Sequence, residues 1–394
     1  MARRERLRLL LILAGLILSL VLFLGKIKNE MHDFQVNYTA GHRLALGETL
    51  YRSWKPDPGW ESDGHWQFKY SPFSALLYLP LSRLPLAAAK AIWYYLVIVS
   101  SCVLVFLSLK LASFERGRIL PAALISFLIL AKYFLRELQL GQINAVITAI
   151  LMGMTWSLVK DEEMPSATSE RTAGLFWGLA TALKPYALIF LPYFLWKKKW
   201  RVLAPGMMVL AVSLCVPIFF YGPQGNLAVI KEWIVSLSQS TPSLFTSQDN
   251  VSLLACLVKW TGNESMSVAL FGAAVAALAL ATLLLFILKG RRRRPSVLAE
   301  SALLLVSIPL LSPLGWDYTF LSAFPAIVLV LRHFAVFPKP WKVLLVAAFL
   351  IIGFSFYDLM GRHFYARFMA WSVPTICFMI IVSALFYIRW KNAA

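Results

Sequence analysis

Apolar residues in this chain come in long unbroken runs, not in the narrow stripes of a water-soluble helix. Leu7 to Leu24, Ala88 to Leu109, Ile143 to Val159, Val202 to Tyr221 and Met266 to Leu288 approach or exceed the roughly 20 residues that carry a helix across a bilayer. Shorter runs near 119–135, 297–312, 317–331, 341–356 and 370–388 predict further helices. Barrel strands alternate apolar and polar positions, and these runs do not. The predicted fold class is therefore all-α, a polytopic transmembrane helical bundle of about twelve membrane segments.

Charge orients the bundle. Basic clusters at Arg3, Arg4, Arg6 and Arg8, at Lys197 to Lys199 with Arg201, and at Arg291 to Arg294 abut apolar runs and read as cytoplasmic anchors. Lys26 to Glu30 offers no small-x-small cleavage pattern, so the first run is an uncleaved helix with a cytoplasmic N-terminus. Residues 26–87 then form the first extracytoplasmic loop, the largest polar insertion. Within it, Phe34 to Leu46 and Phe73 to Leu84 are predicted interfacial helices. The stretch 173–196 decides the parity downstream: the break at Lys184-Pro185 predicts a hairpin, because proline lacks a backbone donor and its predecessor avoids helical geometry. Segment 202–221 then runs outward, 222–263 is an outer loop, and both termini end in the cytoplasm. One membrane domain spans 1–394.

Composition agrees and removes an alternative. With 59% hydrophobic and 14% charged residues and a mean hydropathy of +0.70, the chain has too much apolar surface for one water-soluble core. The net charge of +19 would point to nucleic acid in a soluble protein. Here membrane topology accounts for much of it, and no nucleic-acid partner is expected. Cys102, Cys215, Cys256 and Cys377 show no paired spacing and read as packing residues.

The uncommon polar residues collect on the predicted outer side. Asp33 follows the first span, at a depth where a carboxylate can take a proton from a sugar hydroxyl; it also reads as a helix cap or a solvated interface group. Lys69 and Tyr70 close the same loop, as a phosphate ligand beside a ring or as a snorkelling lysine in an aromatic belt. Arg136, Glu137, Gln142 and Asn144 form a second outer cluster, and Arg362 with His363 a solvated turn. Lys184, apolar on both sides, is either a functional intramembrane cation or a hairpin tip. Gln248, Asp249, Asn250 and Ser252, and Trp316, Asp317 and Tyr318, pair polar groups with rings, as suits carbohydrate and equally an aromatic belt. There is no nucleotide-binding glycine loop, no Ser/His/Asp motif and no zinc spacing, so neither metal nor cofactor is expected.

Taken in order, Asp33-Phe34 with Leu50-Tyr51, Lys69-Tyr70-Ser71-Pro72, Leu140 to Asn144, Leu183-Lys184-Pro185 ahead of Lys197 to Trp200, Asn250 to Leu253, and Ser312-Pro313 with Trp316-Asp317 resemble the GT-C glycosyltransferases. The resemblance is to family GT87, polyprenyl-phosphate-sugar-dependent enzymes that include bacterial mannosyltransferases. It implies an inverting transfer at the extracytoplasmic face of the plasma membrane, with mannose as the leading sugar and a glycolipid or cell-envelope glycan as acceptor. Asp33 becomes the general base, Lys69, Lys184 and Arg136 the donor-phosphate ligands, and Tyr70, Gln142, Asn144, Gln248, Asn250, Ser252, Trp316 and Asp317 the sugar or acceptor contacts. Many members carry histidine after Trp-Asp, where this chain has Tyr318. A transporter or flippase of lipid-linked saccharides is the competing reading.

Overall fold

The computed structural model describes Gly15 and residues 17–53, 66–289 and 296–391. The arginine clusters at 3–8 and 291–294 lie outside the described residues, as does most of the first apolar run, whose end is helical over 17–25. Among the described residues the chain is all-helical, with no strand.

Two short helices come first, α1 (His32–Ala45) and α2 (Pro72–Tyr78). In α1 the buried residues Phe34, Asn37, Ala40, Gly41 and Leu44 recur at helical spacing and form one inward stripe. Proline opens α2, and the Ser71 hydroxyl caps it by accepting from the Ser74 amide at 3.3 Å.

Four long helices follow: α3 (Leu86–Leu111), α4 (Arg116–Leu140), α5 (Asn144–Glu163) and α6 (Ala167–Leu183). After α6 the backbone is extended at Lys184, with φ −148° and ψ 114°, then passes through a 3₁₀ segment, Pro185–Ile189, into α7 (Phe190–Trp196). Lys184 donates to Asn144 at the start of α5 at 2.8 Å. Fifteen residues on, Lys199 meets Asp161 in the last turn of α5 and Glu170 in the first turn of α6, both at 2.8 Å. A helix the length of α5 rises about 30 Å. The chain has thus returned from one end of α5 to the other, and 173–196 forms the expected hairpin.

Helix α8 (Trp200–Cys215) packs on α6 at backbone distance: a Cβ on Gly174 would lie 2.2 Å from the Val202 carbonyl oxygen. At Pro217 and Gly222 the chain turns by 89° into α9 (Ile218–Ser240). The expected straight span over 202–221 is therefore cut at Cys215, and the expected outer loop 222–263 holds most of α9 and all of α10 (Leu253–Thr261). Polar residues and the Gly-Pro pair lower the local hydropathy of 222–240, yet Val229, Trp233 and Leu237 recur at helical spacing. Val229 and Trp233 pack with Leu44, Tyr51 and Phe68 of the first polar segment.

The remaining helices are α11 (Glu264–Lys289), α12 (Val297–Leu311), α13 (Phe324–Arg332), α14 (Lys339–Gly353), α15 (Tyr357–Met360), α16 (Arg362–Ala370) and α17 (Val373–Trp390). By length and apolarity, α3, α4, α11 and α17 each suffice to cross a membrane, and the bent pair α8 with α9 makes five if taken as one span. Only 6% of the α11 window is buried against 56% of that in α17, so α11 is peripheral and α17 belongs to the core. There Phe320, in the 3₁₀ segment before α13, stacks on Phe378 with centroids 3.7 Å apart. All four cysteines are free.

Candidate functional site

The site grows from the turn between α4 and α5. Gly141 ends α4 with φ 69° and ψ 40°, the left-handed geometry glycine adopts without a Cβ clash. A Cβ there would also lie 2.6 Å from the Cβ of Phe34, so its absence lets α1 press onto the turn. The Trp93 indole donates to the Gly141 carbonyl at 2.9 Å, and the Met31 amide to the Gln139 carbonyl at 2.8 Å. These contacts bring Asp33, in the first turn of α1, against Gln142.

Gln142 is held on both sides. Its Nε2 donates to the Asp33 carboxylate and, at 3.1 Å, to the Tyr318 hydroxyl; its Oε1 accepts from the Tyr70 hydroxyl at 3.0 Å. Burial pushes the Asp33 carboxyl above its ordinary pKa, against the opposing pull of the Gln142 hydrogen bond and the charges of Lys184, Arg136 and Lys69. Burial likewise lowers the Lys69 ammonium, with Asp33 opposing.

The second half of the site joins two distant motifs. Ser71 donates to the Ala182 carbonyl at 2.5 Å and Ser74 to the Leu183 carbonyl, satisfying acceptors at the broken end of α6. That contact sets Lys184 beside two rings, 5.3 Å from the Tyr70 centroid and 5.0 Å from that of Tyr186. Its partner Asn144 donates to Glu137 at 2.9 Å, and Glu137 also accepts from the Ala145 amide at 2.8 Å.

Several of these groups face one cavity of about 960 Å³. Asp33, Lys69, Tyr70, Arg136, Gln142, Lys184 and Trp316 line it, and so do Asn37, Trp66, Gln67, Tyr186, Trp233, Asp249 and Tyr318. Trp66 and Gln67 immediately precede the Lys69 motif and Tyr186 follows Lys184-Pro185, so neighbourhood in sequence was a usable signal for them. Trp233 carried none, because it lay in an expected loop.

The other candidates stand back from the cavity. Asn144 is one hydrogen bond behind Lys184. Gln248 is exposed, and its carbonyl accepts from Lys259 at 3.2 Å. Asn250 is fully buried, its Nδ2 donating to the Leu244 and Pro313 carbonyls and its Oδ1 accepting from the Ser252 and Gly315 amides. Ser252 caps α10. Asp317 is buried against Lys132 at 3.1 Å and Arg136 at 3.4 Å, and Arg136 also meets Asp249 at 2.9 Å. Arg362 and His363 are exposed. Among the described residues no group of three His, Cys, Asp or Glu is placed to hold a metal ion.

The family model for glycosyltransferase family 87 matches residues 68–313, well over half of the chain. The chain belongs to glycosyltransferase family 87. It is accordingly a membrane glycosyltransferase, as the resemblance implied. The family 87 match takes in Lys69, Tyr70, Arg136, Gln142 and Lys184 but stops short of Asp33 on one side and of Trp316 and Tyr318 on the other. Folding brings those outlying residues into the cavity built by the matched part. No curated protein and no solved structure matches the chain.

Proposed function

We propose that this glycosyltransferase moves a sugar, mannose in the first instance, from a polyprenyl-phosphate donor to a glycolipid or cell-envelope glycan at the extracytoplasmic face of the plasma membrane. The observation that carries this reading is the carboxylate of Asp33 sharing a cavity with Lys69 and Lys184, none of the three making an ion pair among the described residues. Asp33 takes the proton of an acceptor hydroxyl as that oxygen attacks the anomeric carbon; its raised pKa makes it a stronger base than an ordinary aspartate. Attack from the face opposite the phosphate inverts the centre. The bond from the anomeric carbon to the phosphate oxygen breaks, and Lys184 and Lys69 meet the charge that grows there. Arg136 enters already neutralised by Asp249 and Asp317 and supports the wall. Trp66, Trp233, Trp316 and Tyr186 offer faces for sugar C–H groups.

In this reading about twelve segments cross or enter the bilayer, α1 and α2 lie at the outer interface, and both termini are cytoplasmic. The support is the basic cluster Lys197 to Arg201, which sits at the end of α5 and α6 away from the cavity and marks that end as cytoplasmic.

Full-length protein in lipid nanodiscs, given labelled polyprenyl-phosphate-mannose and glycolipid acceptors, is expected to yield a glycoside of inverted configuration. A donor bearing arabinofuranose in parallel decides the sugar. Movement of the lipid-linked sugar across proteoliposomes with no new glycosidic bond would replace this reading by that of a transporter.

A further inference from the structure

Asn37 is a neutral polar group that the cavity wall leaves without a partner. It lies one turn after Asp33 on α1, is 1% exposed and lines the same cavity. Its Nδ2 has no hydrogen-bond partner among the described residues. The rest of its stripe is Phe34, Ala40, Gly41 and Leu44, so a leucine at this place would complete an apolar face and leave no donor unpaired. Nor can α1 roll to carry the amide elsewhere: a Cβ on Gly41 would already lie 2.7 Å from the Tyr78 backbone, and the Tyr38 hydroxyl is tied to the Leu84 carbonyl at 2.8 Å. Buried amides are nearly always paired, and an orphan in the wall of a cavity is within a side-chain rotation of a ligand there.

We propose that Asn37 binds a second hydroxyl of the acceptor sugar, beside the one that Asp33 deprotonates, and so sets which acceptor is taken and which of its hydroxyls is glycosylated. This rests on Asp33 being the base. Side chains four apart on a helix are about 5–6 Å from each other at Cβ, within the reach of two hydroxyls on one pyranose ring. An amide both donates and accepts, as a hydroxyl does. A site built to hydrogen-bond a substrate hydroxyl rejects the analogue that lacks it, because its own buried group is then left unpaired.

The test uses the full chain in nanodiscs, polyprenyl-phosphate-mannose as donor, and octyl α-mannoside with each of its monodeoxy analogues as acceptors. Wild type is expected to discriminate against two analogues, the one missing the attacked hydroxyl and the one missing the hydroxyl read by Asn37. In Asn37→Leu the second penalty disappears, the KM for octyl α-mannoside rises about tenfold, and the donor KM stays put. The variant melts no lower than wild type, which a merely structural asparagine would not allow. A binding arm needs no turnover: octyl α-mannoside titrated without donor and followed by tryptophan fluorescence binds Asn37→Leu about tenfold more weakly than wild type. The same comparison in an Asp33→Asn background separates this proposal from the assignment of the base, since binding is read whether or not transfer occurs. Equal binding by both proteins, including none by either, overturns it. So does an unchanged set of deoxy penalties in Asn37→Leu, or a lower melting temperature with acceptor discrimination intact.

Discussion

Two polar clusters lie at the end of α4, one on its last turns and one at the turn that follows it, and each sets lysine and aspartate among other polar groups, yet they are finished differently. In one, Lys132, Arg136, Asp249 and Asp317 set two cations against two carboxylates at 2.9 to 3.4 Å, with Lys132 also donating to the Tyr365 hydroxyl at 3.1 Å. It ties α4 to the loop before α10, the 3₁₀ segment after Trp316, and α16. In the other, Asp33, Gln142, Tyr70 and Tyr318 share one amide, while Lys184 has a neutral partner in Asn144. Its charges face open space. A closed set of charges fastens helices together; an open set waits for something to complete it. In the proposed reading, buried charge alone therefore does not mark the site, and incomplete pairing does.

The largest effect that would break this contrast is on Asp33. Asp33→Asn is expected to lower kcat by about 10²- to 10⁴-fold with folding unchanged, read from initial rates of transfer beside the melting curve. Activity within threefold of wild type would remove Asp33 from the chemistry. Next comes Lys184→Met, expected to cost about 10²- to 10³-fold in kcat/KM, with little loss of stability because the side-chain hydrogen-bond partner of Lys184 among the described residues, Asn144, is neutral. The closed cluster should respond the other way round. Asp317→Ala leaves Lys132 buried without its carboxylate, and the expected loss is about 3–5 kcal/mol of stability, visible as a drop in thermal midpoint in detergent. A wild-type midpoint would mean that the network fastens nothing.

Acid titration sharpens the open cluster. The pKa of Asp33 is raised, so the proposed base is lost as pH falls through a value above that of an ordinary aspartate, and kcat/KM should then drop about tenfold per unit. Lys69 is shifted down, so its charge is lost, and the donor KM rises, at a lower pH than for an ordinary lysine. Rate measurements across pH, with donor and acceptor varied separately, distinguish the two limbs. The smallest expected effect is that of Tyr318→Phe, which removes one acceptor from the Gln142 amide and should cost less than about tenfold in rate.

Much of the bundle was legible in the sequence. Lipid permits helices where apolar residues run unbroken, so α3, α4, α11 and α17 follow from hydropathy, and proline geometry located the break at Lys184. Helix α9 was not legible, because its apolar positions are spaced for packing on α1 and α2 and carry too little mean hydropathy to stand out. The polar clusters were visible as clusters, but which of their members line the cavity was not. Asn250 and Asp317 look as available as Asp33 in a list of residues, yet one is consumed by four backbone groups and the other by two cations.

Sequence alone determined that this chain lives in lipid, that it is helical, and, through its ordered motifs, that it is a glycosyltransferase of family 87. Those properties rest on local hydropathy and short motifs, which need no partner in space. Only the tertiary structure decided that Asp33, outside the matched residues, stands at the same cavity as Lys69 and Lys184, and that Asn37 lines it with an unpaired amide nitrogen. Whether a polar atom is spent or spare depends on neighbours far away in the chain, and that is settled when helices such as α1 and α4 meet at Gly141.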